Sequence, residues 1–217
     1  MFSMFRAALP PRTNRAEQNP IIYEDGASFL EFMPSGSDYV LRNMHPPFNA
    51  DRPSIMVPPL HYHIHQTEHF RIHSGTCHLY QKVTDVPWKT ISVMNSEAPK
   101  TAYVPSGIYH SLKNASTTEP MIIDVNLTPE DYEGEQKFFR NFFGYLDDCR
   151  KAEQPPSLFQ LMVFLRAADT PLGLPAPTEL VGRVASNFFM NAMGWYGKWI
   201  LGYKESYPEY YVKNKSL

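Results

Sequence analysis

Residues 61 to 69 read HYHIHQTEH, which places four of the chain's eight histidines and one glutamate in nine positions. In an extended strand alternate side chains share a face, so His61, His63 and His65 project together while Tyr62 and Ile64 face the other way. Glu68 comes within reach if the chain bends at Gln66 and Thr67. A carboxylate beside imidazoles is a donor set that a divalent transition metal accepts. Farther along, PSGIYHSLKN at 105 to 114 supplies His110 just after a proline-glycine turn, which would return a distant strand toward the first.

The elements that must hold these residues are legible in outline. From residue 21 to about 127 the chain runs as short apolar stretches rich in β-branched and aromatic residues, broken by PSGS at 34 to 37, SG at 74 to 75 and PSG at 105 to 107. That pattern predicts an all-β barrel or sandwich. Beyond it the period changes. Thr128 is a predicted N-cap with Pro129 at the first helical position, and Phe138, Phe142 and Leu146 recur at helical spacing. Two more helices are predicted, across SLFQLMVFLRAAD and across TELVGRVASNFFMNAMGWYGKWILGY. Residues 1 to 20 are polar and proline-containing and are read as a flexible arm. The expected organisation is therefore an arm (1–20), a β-barrel (21–127) and an α-helical extension (128–217).

The spacing of the two histidine-bearing segments is similar to the bipartite signature of the cupin superfamily. His61-x-His63, four residues, Glu68, six residues and Gly75 resemble the first half; Pro105-x-Gly107, two residues, His110, three residues and Asn114 resemble the second. The resemblance covers residues 25 to 127. The chain departs from it at two turn positions, where Ile55 and Pro99 stand in place of glycines, which bears on strand boundaries more than on the ligands. The resemblance implies a mainly β fold, a cupin-like antiparallel jelly-roll barrel, here with a C-terminal α-helical extension like that of uncharacterised fungal cupins, some of them near natural-product genes. It also implies a metal site of His61, His63, Glu68 and His110, with Gly75 and Gly107 in turns and Asn114 as a structural residue. Three imidazoles and one carboxylate leave one or two positions open on an octahedral ion, which suits catalysis. Fe, Mn, Ni and Zn all accept the set.

The remaining residues divide by strand parity. His65 breaks the signature's spacing to Glu68 and is read as a residue behind the ligands or on the pocket wall, with a catalytic role beside Glu68, the alternative being that it ligates the metal itself. His69 and His73 are expected to face outward, and His45, between Met44 and Pro46, to lie in a loop. Phe70 and Ile72 share the parity of Glu68 and are expected to line the barrel, as are Tyr80 and Tyr103.

Twenty Lys and Arg against 22 Asp and Glu, with no basic run, argue against a nucleic-acid surface and for a small-molecule partner. Two distant cysteines, Cys77 and Cys149, imply neither a disulfide scaffold nor a Cys-based metal site and fit a reducing, cytoplasmic setting. The N-terminal stretch is no convincing signal peptide, and the sequons at Asn114 and Asn126 are read as chance. Trp195, Tyr196, Trp199 and Tyr203 in the last helix suit cover of the β domain or of a partner in a homodimer, a peripheral membrane contact, or a lid over a ligand cavity, but Arg183, Asn187, Asn191 and Lys198 interrupt any spanning segment. The resulting expectation is a metal-dependent enzyme of secondary metabolism acting on a small oxygen-chelating substrate, as an oxygenase, an isomerase or cyclase, or a decarboxylase. The alternative is a cupin that binds a metabolite without turning it over.

Overall fold

The computed structural model of the protein describes residues 7–82, 84 and 86–213. The chain divides into two compact units, Asn19–Tyr132 and, separately, Glu133–Leu217 together with Met1–Gln18.

Among the described residues the first unit has nine strands: β1 (Ile21–Tyr23), β2 (Ser28–Phe32), β3 (Leu41–His45), β4 (Thr67–Ser74), β5 (Thr76–Tyr80), β6 (Lys89–Ser92), β7 (Thr101–Val104), β8 (Ser111–Asn114) and β9 (Met121–Thr128). They form a six-stranded sheet in the order β1-β2-β3-β9-β4-β7 and a three-stranded sheet in the order β6-β5-β8. All pairings are antiparallel. This is the expected jelly-roll barrel. Strict alternation of buried and partly exposed residues along β2 and β3 marks one inner face. Register carries that face across the sheet: Phe70 lies opposite Val125, which lies opposite Leu41. On the other face Asp124 sits between Arg42 and Arg71 of the two flanking strands, 2.7 Å from Arg42 Nε and 2.8 Å from Arg71 Nη2. Burial alone would raise the Asp124 pKa; the two guanidinium hydrogen bonds outweigh it and hold the carboxyl below its ordinary value.

Phe70 and Ile72 line the core as expected, and Tyr80 is buried, but Tyr103 is 58% exposed. The inward positions of β7 are Ala102 and Val104, which puts Tyr103 on the outer face. The structure also corrects the reading of His45. It ends β3, is 2% exposed, and its Nδ1 has no hydrogen-bond partner among the described residues. Pairing with Met121 keeps it in the ladder despite the prolines that follow.

The second unit carries α1 (Tyr132–Lys151, whose first residue belongs to the β unit), α2 (Leu158–Ala167) and α3 (Glu179–Trp199). Helix α1 starts later than the cap signal at Thr128 predicts, because Thr128 is still paired with Thr67 as the last residue of β9. Tyr145, Cys149, Phe164, Tyr207 and Tyr210 form a core on which Phe138 and Phe142 pack. Of the segment read as a flexible arm, residues 1–6 lie outside the described residues, and residues 7–18 are tied into this unit by charge. Arg15, 3% exposed, bonds to Asp147 and Asp148, and Thr13 and Tyr210 also donate to Asp148. Composition alone hides this, since the acceptors lie more than a hundred residues away. No described helix is long and apolar enough to cross a membrane.

Two outcomes follow from these buried charges. Arg15→Ala leaves two buried aspartates short of a partner and is expected to lower unfolding free energy by about 3–5 kcal/mol in urea titration. His45 is held neutral by burial, its pKa pushed down from 6.5 to about 4. The unfolded chain therefore takes up the proton first, so stability present above pH 6.5 is lost as pH falls toward 4, by roughly 3 kcal/mol, and no further below. Thermal melts of His45→Leu should lack this acid limb while matching or exceeding wild-type stability at neutral pH.

Candidate metal centre

The segment entering β4 is proline-rich, SIMVPPLHYHIHQ from Ser54 to Gln66, and it forms no continuous strand. Pro58 and Pro59 lack the N–H that a ladder requires. What remains is one antiparallel bridge, His61 with His110: His61 N–H donates to His110 O at 3.0 Å and His110 N–H to His61 O at 2.7 Å. One step along, Gly107 N–H donates to His63 O at 2.8 Å. Gly107 adopts φ +75 to make that turn, a conformation that costs a residue with a Cβ more than it costs glycine. The backbone of the second motif thus docks directly on the backbone of the first.

This docking gathers the four expected ligands. One donor atom from each of His61, His63, Glu68 and His110 lies within 4.8 Å of the others, and all four residues are buried. Glu68 arrives from the inner face of β4 and accepts from His110 Nε2 through Oε2 at 2.6 Å, with His63 Nε2 3.3 Å from the same oxygen.

The outer ring nitrogens are also placed. His61 Nδ1 donates to Pro59 O at 2.8 Å and His110 Nδ1 to Ile108 O at 2.9 Å. A carbonyl only accepts, so each Nδ1 carries a proton and each Nε2 is turned to the cluster, the usual support of a metal-binding imidazole. These two carbonyls were not singled out from sequence. The signal was present as the same offset, two residues before each histidine, but its meaning depends on backbone turns that only the fold shows.

Electrostatics matches this assignment. Burial, then the neighbouring imidazoles of His110 and His63, push His61 down to about 3, so it is neutral and able to ligate. Burial raises Glu68, but hydrogen bonds from His110 and His63 outweigh it and hold the carboxyl well below its ordinary value. For His110 burial lowers the pKa, and the bond to Glu68 overcomes this and raises it. Without an ion, His110 and Glu68 therefore share a proton in an imidazolium–carboxylate pair. Cys77, fully buried on β5, is raised by burial and then by the charge of Glu68, which keeps it a thiol.

His65 is not brought in. The chain bends at Ile64 and His65, which ends the alternation that would have aligned it with His61 and His63, and the side chain is exposed outside the cluster. The expected catalytic role of His65 has no geometric support. His69 is only partly buried and bonds Thr128 Oγ1 at 2.8 Å; His73 is exposed. Asn114 is structural, as the motif implied, its Nδ2 donating to Glu119 O at 2.7 Å and Pro46 O at 3.1 Å.

Two antiparallel sheets that converge a His-x-His pair, a glutamate and a histidine from a distant strand on one point define a cupin. No family model matches the chain. Among known proteins it is 30% identical over 207 residues to the probable oxidoreductase virH of Hypocrea virens, an alignment that covers 93% of this chain and 90% of that protein. It is 29% identical over 171 residues to the oxidoreductase iacF of Pestalotiopsis fici, covering 76% and 80%. The chain belongs to the family that contains virH, and it is a cupin. Among solved structures it is similar to the cupin domain of Drosophila melanogaster CENP-C, with a TM-score of 0.35 and 8% identity over 56% of this chain and 86% of that one.

The donor set fits a divalent ion, and the shared proton sets a measurable consequence. Ligation at His110 Nε2 requires that proton to leave, so uptake of Zn2+ or Co2+ at neutral pH should release close to one proton. The raised His110 pKa fixes the direction: affinity weakens as pH falls. Calorimetry in two buffers of different ionisation enthalpy measures the release, and Glu68→Gln should reduce it together with affinity.

Proposed function

We propose that the protein is a metal-dependent cupin oxidoreductase acting on a small organic substrate that chelates the ion through hydroxyl, keto or carboxyl oxygens. The observation that carries this reading is the buried convergence of three imidazoles and one carboxylate, with the outer nitrogens of His61 and His110 already committed to Pro59 O and Ile108 O. Relatives named as oxidoreductases support redox chemistry over isomerisation or decarboxylation. A substrate from secondary metabolism is part of the same proposal.

A divalent metal held by these four residues supplies Lewis-acid polarisation of substrate oxygens and, where the ion is redox-active, an electron. The chain's own residues supply the rest. His61 and His110 are oriented before binding, so little ordering remains to be done when a ligand arrives. Once the proton shared with His110 Nε2 has left, Glu68 is a carboxylate and the group able to accept a proton from a substrate hydroxyl. Phe70, fully buried with its ring centroid 6.3 Å from that of His110, places apolar surface beside the ligands and excludes water.

Elemental analysis of protein purified without a His-tag or added metal tests the site. Near-stoichiometric Fe, Mn, Ni or Zn is expected, falling to background in His61→Ala and His110→Ala. A wild type that carries no metal and takes up none would sink the catalytic reading. Where metal is retained, Glu68→Gln should lower turnover by about 100-fold or more with the fold intact; unchanged turnover would remove Glu68 from the chemistry.

A further inference from the structure

Helix α3 is packed inside out. Its buried positions are Gly182, Ser186, Met190, Gly194 and Gly197, four of them small. Two of these glycines permit close approach to α2: a Cβ on Gly194 would stand 2.8 Å from Met162 O, and one on Gly197 2.9 Å from Phe159 O. The large apolar residues point the other way. Leu180 is 73% exposed, Val184 64%, Phe188 74%, Trp195 51% and Trp199 64%. With exposed Val181, Asn191 and Ala192 they make a continuous stripe along one side of the helix, spaced by threes and fours like a coiled-coil seam.

The order of side chains in the stripe is what selects the occupant. It has small aliphatic residues at the N-terminal end and indoles at the C-terminal end. Turned end for end about a point between Phe189 and Met190, Leu180 falls opposite Trp199, Val184 opposite Trp195, and Phe188 opposite Asn191. Small meets large at both ends, with the ring of Phe188 near the axis. Phe188, Trp195 and Trp199 alone offer on the order of 400 Å², about half of the ~800 Å² per partner in a standard interface. An anionic lipid surface fits less well, because the two basic residues of α3, Arg183 and Lys198, are each paired with a carboxylate, Glu179 and Glu205.

We propose that this stripe is the interface of a two-fold dimer, in which α3 of one copy packs antiparallel on α3 of a second copy of this chain. A two-fold interface uses the same patch twice, and a stripe complementary to its own reverse meets that requirement.

Sedimentation equilibrium of the full chain tests it. The wild type should approach twice its 25.0 kDa. Phe188→Glu places a charge at the axis and should weaken dimerisation by about 30-fold or more, with the melting temperature measured alongside. Val184→Trp should weaken it by about tenfold through overpacking. Adding Trp195→Val in the same chain should restore it, a rescue that antiparallel register alone provides. A wild type at 25.0 kDa in micromolar solution overturns the proposal, as does a double variant that stays weak. A monomer that floats with phosphatidylcholine–phosphatidylserine vesicles, and loses this in Trp195→Ala/Trp199→Ala, replaces the second copy with a membrane surface.

Discussion

The β unit depends on one short backbone contact, the two hydrogen bonds that join His61 to His110. Neither residue lies in a long ladder at that point, because prolines interrupt the chain before His61 and a turn precedes His110. The bridge nonetheless decides where the functional groups go. It holds two imidazoles with ring centroids 4.3 Å apart, and Gly107 on His63 O keeps the next turn from slipping. A shift of one residue in this pairing would turn His110 to the opposite face and leave Tyr109 in its place.

Buried charge is used in three ways. In the six-stranded sheet Asp124 clasps arginines from both neighbouring strands and so favours one register. In the helical unit Asp147 and Asp148 hold Arg15 and give the N-terminal segment a fixed place. Both networks join carboxylates to guanidinium groups, whose proton is never in play. Glu68 is paired instead with imidazoles, which do exchange protons in the neutral range. The difference in partner separates the carboxylates held by guanidinium groups from the one held by groups whose protons exchange.

The helical unit shows a second division of labour. Close approach of α2 to α3 is achieved at Gly194 and Gly197 rather than at large apolar residues, and the indoles and Phe188 of α3 are left on the outside. Helical periodicity locates such a stripe, yet it does not say which side is covered, since a stripe of large residues normally marks the core.

The sequence by itself determined the class of fold and which four residues converge, because both depend on local spacing: strand alternation sets which residues share a face, and the fixed intervals within each motif set which can converge. It also determined that Gly75 and Gly107 occupy turns, since positive φ is a local property. Tertiary structure decided what local pattern could not carry. It removed His65 from the cluster by bending the chain at Ile64 and His65, buried His45 against a prolyl context that suggested a loop, and turned Tyr103 outward. It fastened the apparent arm through Arg15 to aspartates distant in sequence, and it supplied the two carbonyls behind His61 and His110. In each case the deciding contact joins residues far apart along the chain, and only the closed fold selects such a partner.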